Sequence, residues 1–307
     1  MNPEPDPGSP GPPSLSRRSL LAAGTGAFAL LLGACSSDSG TKKAVKATTA
    51  TSGATDGKIS LAQMFDPRVP VGTPLRLPLG LVDAEGVFLK DPPAAISARL
   101  GPKDGDLGPS IELSRRDKGL ERAYYPLLTT LATPGSWRLE VTAAGQTLES
   151  TLSALGPTDM PGRVVQPGEQ LPAIATPTIA SPREVDPICT AKPPCPLHEV
   201  SLDRALTLGK PIALLVSTPA FCQTSICGPV LDLFVDQGRA FGESVTMMHI
   251  EVYTDNTAKK TADTVEALGL TYEPSLFLAA PDGTLSERLD FIFDTGELAE
   301  GLARLVP

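Results

Sequence analysis

The chain has 307 residues, enough for about two domains, and 41% apolar with 20% charged residues matches an ordinary globular protein rather than a fibrous, repeat or polytopic membrane one. A formal net charge of −9, from 26 basic and 35 acidic residues, repels phosphate backbones and excludes nucleic acid as the expected partner. Prolines (32) and glycines (28) point to turns, short strands and linkers, and five cysteines carry the chemical interest.

The first 14 residues are rich in proline and glycine. Ser16-Arg17-Arg18-Ser19 then opens an apolar run from Leu20 to Leu32, about 13 residues against the roughly 20 that cross a bilayer. The run ends in Leu32-Gly33-Ala34-Cys35. This segment resembles a twin-arginine export signal closed by the lipobox of bacterial lipoproteins, with Leu20 where such signals usually carry Phe. The resemblance implies a signal peptide over 1–34, cleavage before Cys35, and lipid on the Cys35 sulfur. The lipid bilayer is then the first partner, and the chain sits anchored on the extracytoplasmic side of the cell membrane. Residues 35–57 are small, polar and lysine-bearing, as expected of a flexible tether. Four cysteines remain, in a compartment where disulfides persist.

Residues 58–155 read as short strands. Ser136–Thr142 alternates strictly, with Trp137, Leu139 and Val141 on one face, and Pro134-Gly135 ahead of it is a turn signal. The alternation continues through Leu148, Leu152 and Ala154, and further strands are expected over Leu75–Val82, Ala94–Leu100 and Arg122–Thr130. Such spacing predicts a small β-sandwich. The stretch Pro134–Val141 resembles a late strand of immunoglobulin-like domains of bacterial surface proteins. No histidine or paired-carboxylate constellation assigns chemistry to this region, and Trp137 reads as core.

Ten prolines between Gly156 and Pro196 mark a linker over 156–196. From residue 197 the pattern alternates helix and strand. Helices are expected over Ser201–Leu208, Val230–Phe241, Thr257–Leu268 and Thr295–Leu305. Strands are expected over Pro211–Ser217, Val245–Tyr253, Ser275–Ala280 and Thr284–Phe293. Within this frame stand Lys210-Pro211 before an apolar strand, then Phe221-Cys222-Gln223-Thr224-Ser225-Ile226-Cys227-Gly228-Pro229, then Glu273-Pro274 before Ser275-Leu276-Phe277-Leu278. Residues 197–307 therefore resemble an α/β thioredoxin-like domain, so the expected fold class is multidomain, an immunoglobulin-like β-sandwich followed by that domain.

The resemblance implies thiol–disulfide exchange. Cys222, between a strand and a helix, would face unpaired N–H groups and the positive end of the helix dipole, which favour the attacking thiolate. Cys227 would resolve the mixed disulfide. Phe221, Glu273 and a cis Pro274 would position a thiol substrate, with thiol or disulfide proteins of the cell envelope as partners. The spacing departs from the family, which has two residues between its cysteines where this chain has four. Residues i and i+5 lie about 140° apart on a helix, so either the helix begins near Cys227 or bonding requires unwinding. The strand Pro211–Ser217 also lacks the buried acid of that family. The competing reading is a non-catalytic envelope lipoprotein that binds a partner, with Cys222–Cys227 a permanent staple.

Cys189 and Cys195 are expected to form a structural disulfide pinning the linker, although four thiols allow three pairings. Two further families are similar in part. Peroxiredoxins place a threonine three residues before the reactive cysteine, whereas here Thr218 stands four before Cys222 and Pro219 three. Copper proteins of the Sco type separate their cysteines by three residues and add a histidine after the cis-proline region. His249 reads as a core or strand-edge side chain, His198 as a surface residue, and Cys189-x5-Cys195 with one nearby histidine falls short of a zinc set. No metal is expected, and the absence of a Gly-rich phosphate loop or G-x-S-x-G motif gives no cofactor.

Overall fold

Alternating apolar side chains build the first half of the described chain into two facing sheets. The computed structural model describes residues 59–160 and 164–306, so the leader, Cys35 and the tether lie outside the described residues. One sheet orders β1 (Ser60–Gln63), β3 (Leu75–Val82) and β6 (Tyr125–Thr129). The other orders β2 (Arg68–Pro70), β8 (Gln146–Leu155), β7 (Gly135–Ala143), β4 (Ala95–Pro102) and β5 (Ile111–Ser114). Every pairing is antiparallel except β2 with β8. Leu77, Leu79, Leu127, Leu139, Val141 and Leu148 fill the space between the sheets. Leu139 and Val141 are buried as their alternation requires, while Trp137 at the strand's open end is half-buried and donates through Nε1 to the Thr133 carbonyl.

The second half forms a mixed sheet of four strands, in the order β10 (Thr246–Ile250), β9 (Ile212–Val216), β11 (Ser275–Ala279), β12 (Leu285–Asp290). β9 and β10 are parallel, and β11 runs antiparallel to both of its neighbours. The described chain is thus mostly β-sheet, in three sheets. Ala213, Leu215, Leu276 and Leu278 face α2 (Cys227–Phe241) and α4 (Thr295–Leu305). Ile212, Leu214, Val216 and Phe277 face α1 (Leu202–Ala205) and α3 (Asp263–Ala267). Coverage of both faces explains the unbroken apolar run in β9.

Two helices are shorter than their sequence pattern suggests. Gly209, at φ 64, ends the turn after α1. Before α3, the Asp255 carboxylate accepts from the Thr257 N–H at 2.7 Å and from its hydroxyl, and Ala262 N–H donates to Val252 O at 2.8 Å. Those bonds hold residues 257–262 in a turn that competes with helix. The proline-rich segment from Val164 lies against the mixed sheet, with Leu171 and Val185 in its core.

The sandwich is bound to the mixed-sheet half by a buried ion pair. Arg76 of β3 donates to both carboxylate oxygens of Glu297 in α4 at 2.6 Å, and to the carbonyls of Asp290 and Ile292 at 2.9 and 2.5 Å. Tyr124 Oη donates to Glu297 at 2.5 Å and accepts from Asp294 N–H at 2.8 Å. The side chains of Arg76 and Glu297 are 7% and 9% exposed, so little water competes for either charge. Burial is the largest single influence and would raise the Glu297 carboxyl, but the Arg76 charge, the hydrogen bonds from Arg76 and Tyr124 and the more distant Arg116 charge together hold the group below its ordinary range. Arg76→Met is expected to cost about 3–5 kcal/mol by stranding Glu297, read as a lower urea midpoint. Arg76→Met with Glu297→Leu is expected to recover most of that loss; a double variant no more stable than the single one would contradict this assignment.

Candidate functional site: two cysteines, a glutamate and an arginine

The chain leaves β9 at Val216, turns through Thr218–Phe221, and does not enter α2 until Cys227. Cys222 therefore lies in an irregular loop whose Ser225 takes φ 58, and the helix begins at the second cysteine, the first of the two expected arrangements. The loop returns the Cys222 sulfur to the helix mouth, where it accepts from Cys227 N–H at 3.3 Å, with the Thr224 hydroxyl also at 3.3 Å. Cys222 is half-buried and Cys227 fully buried. Neither carries a disulfide in this structure.

The environments drive the two thiols apart. Hydrogen bonding from Cys227, then from Thr224 and the N–H groups of Cys227 and Ile226, outweighs partial burial and draws the Cys222 thiol down to about 5. Burial, reinforced by the neighbouring Cys222 sulfur, pushes Cys227 far above the ordinary thiol range. The Glu273 carboxylate lies with both sulfurs in one cluster, its ligating atom within 4.8 Å of theirs. Burial first, then the Cys222 charge, raises Glu273 to about 7. The acid missing from β9 thus has a counterpart on the loop leading into β11.

The sandwich contributes Arg122. Its Nη1 donates to the Thr224 carbonyl at 3.1 Å, its guanidinium stacks 4.3 Å above the Phe88 ring, and its charge interacts with Cys222. No local sequence signal marks Arg122, because 102 residues separate it from Thr224. Phe221 packs edge-on against Tyr253, with ring centroids 6.0 Å apart. The Glu273–Pro274 bond is cis, as expected, but Pro274 is buried and its carbonyl accepts from Phe291 N–H at 2.8 Å. Pro274 thus has no exposed carbonyl with which to pair a substrate.

Cys189 and Cys195 depart from expectation. Their sulfurs are free and face two imidazoles instead of bonding to each other. His198, expected on the surface, is 2% exposed, and His249 of β10 is 1% exposed. The four ligating atoms lie within 4.8 Å of one another, so the count that fell short of a metal set becomes four once β10 is placed. Thr190, inside this loop, donates from N–H and hydroxyl to the buried Glu251 at 2.8 and 2.9 Å, and accepts from Ala220 N–H at 3.1 Å. One hydroxyl therefore joins this cluster's loop to the turn carrying Cys222. A cavity of about 970 Å³ is bounded by Arg76, Arg288 and Glu297 and is lined by none of these cysteines.

No protein-family model and no curated protein matches the chain. Among solved structures, the filamin domain of Lin-41 shares 16% identity over 32% of this chain and 94% of its own, with a TM-score of 0.23. A titin M10–obscurin-like 1 Ig complex shares 20% over 32% and 95%, at 0.18. A β-glycosidase from Bacteroides vulgatus shares 17% over 32% of this chain but only 14% of its own, at 0.22. Likenesses at these scores establish neither a family nor an activity.

Alkylation by iodoacetamide is expected to modify Cys222 with a midpoint near pH 5 while Cys227 stays unmodified in the folded protein. Arg122→Gln removes a nearby positive charge, so it is expected to move that midpoint upward. A Cys222 midpoint in the ordinary thiol range near about 8.5 would contradict the site.

Proposed function

We propose that this chain is a thiol–disulfide exchange protein with a thioredoxin-like C-terminal half, tethered through Cys35 to the outer face of the cell membrane and acting on exported proteins. The observation that carries the reading is the sulfur of half-buried Cys222 receiving the Cys227 N–H at the start of α2, with Glu273 beside it. The strand order β10-β9-β11-β12, with the cysteine loop after β9 and the cis proline before β11, supports the thioredoxin-like assignment. Among the described residues no helix is long and apolar enough to cross a membrane, so the proposed anchor rests on the Leu32–Cys35 motif.

In the reduced protein the Cys222 thiolate attacks one sulfur of a client disulfide. A new S–S bond forms to Cys222, and the client's other sulfur leaves as thiolate. Cys227 then passes its proton to the Glu273 carboxylate and attacks Cys222, closing Cys222–Cys227 and releasing the second client sulfur. Two electrons move from this chain to the client, and the reverse sequence oxidises a client dithiol.

Cys227→Ser is expected to accumulate a mixed disulfide through Cys222 with exported proteins or glutathione, visible on non-reducing gels, and Cys222→Ser to abolish it. Glu273→Gln is expected to slow resolution by about 10²-fold, the lower range of general-base contributions, while leaving the first attack intact. No trapped species in folded Cys227→Ser would overturn the reading in favour of a non-catalytic binding lipoprotein.

A further inference from the structure

We propose that Cys189, Cys195, His198 and His249 form a closed tetrahedral zinc site, built on sulfurs other than the exchanging pair and independent of the exchange reading. The distances carry the proposal. Cys195 Sγ lies 3.2 Å from His198 Nε2 and 3.3 Å from His249 Nδ1, the two nitrogens are 3.3 Å apart, and Cys189 Sγ is 3.8 Å from His249 Nδ1. With Zn–S of about 2.3 Å and Zn–N of about 2.0–2.1 Å, the edges of a tetrahedron are about 3.3–3.8 Å. Hydrogen bonds satisfy these groups only one contact at a time, whereas one cation at the centre satisfies all four.

The surroundings fit a buried metal. All four side chains are at most 9% exposed. Two thiols lose their protons to solvent as the ion enters, so Zn²⁺ with two thiolates and two neutral imidazoles carries no net charge, which suits burial. His249 Nε2 contacts the Ser217 carbonyl at 3.2 Å and its hydroxyl at 2.9 Å. A carbonyl only accepts, so Nε2 carries the proton and Nδ1 turns its lone pair toward the sulfurs, the outer-shell arrangement typical of histidine ligands. Cys195 N–H donates to Cys189 Sγ at 3.4 Å, and His249 N–H to Leu197 O at 2.9 Å, which fixes the 189–198 segment along β10. Sulfur and imidazole ligands in a four-coordinate set suit zinc over magnesium or calcium.

The test is metal analysis of the full chain purified without chelator, with cobalt(II) exchange as a second measurement. About one zinc per chain is expected. It should be lost in Cys195→Ser and His198→Ala and kept in Cys222→Ser, which separates this cluster from the one at Cys222. Cobalt(II) in the unaltered chain should give tetrahedral d–d bands with a thiolate charge-transfer band, a readout that stands even where a variant fails to fold. A metal-free chain with a Cys189–Cys195 disulfide by peptide mapping, or binding of copper alone, would overturn the assignment.

Discussion

Four residues between Cys222 and Cys227 place a constraint that the local structure obeys. A continuous helix would turn the two sulfurs about 140° apart. The chain instead delays α2 until Cys227, so the preceding loop curls back and delivers Cys222 to the unpaired N–H groups of the helix start. The same geometry buries Cys227 and leaves Cys222 half-buried, so of the pair Cys222 is the one nearer solvent. Position separates the two thiols: hydrogen bonding at the helix start lowers Cys222, and burial in the core raises Cys227.

The sandwich contributes by being held in place. The Arg76–Glu297 pair and the Tyr124 hydroxyl hold β3 and the 116–124 turn against α4. That docking carries Arg122 to the Thr224 carbonyl. A buried ion pair contributes little net stability by itself, because desolvation offsets most of the attraction. Its value here is geometric, since a docked orientation other than this one leaves two charges without partners.

Much of the fold was legible because burial leaves a periodic trace. Leu139 and Val141 alternate with polar neighbours in β7, the unbroken apolar run of β9 reports cover on both faces, and α4 occupies the expected Thr295–Leu305 behind the Asp294 cap. The strands β1, β2 and β5, of three or four residues each, are too short to show a period. The helix expected from Thr257 lost its first half to the Asp255 turn, a local side-chain contest that periodicity does not report. At the site, the cysteines and Glu273-Pro274 were visible as a motif. The nearness of Arg122 to Cys222, and of His249 to His198 across 51 residues, depends on sheet register and docking, which no local pattern encodes.

In the proposed exchange, a stabilised Cys222 thiolate would favour the reduced protein and make a Cys222–Cys227 couple oxidising. Equilibrating the full chain with glutathione buffers of graded ratio, and mapping the bonded cysteines by mass spectrometry, tests this most directly. One reversible Cys222–Cys227 couple is expected, with a potential above about −270 mV, the value of thioredoxin. Sulfurs that exchange with glutathione only after the protein unfolds would contradict it.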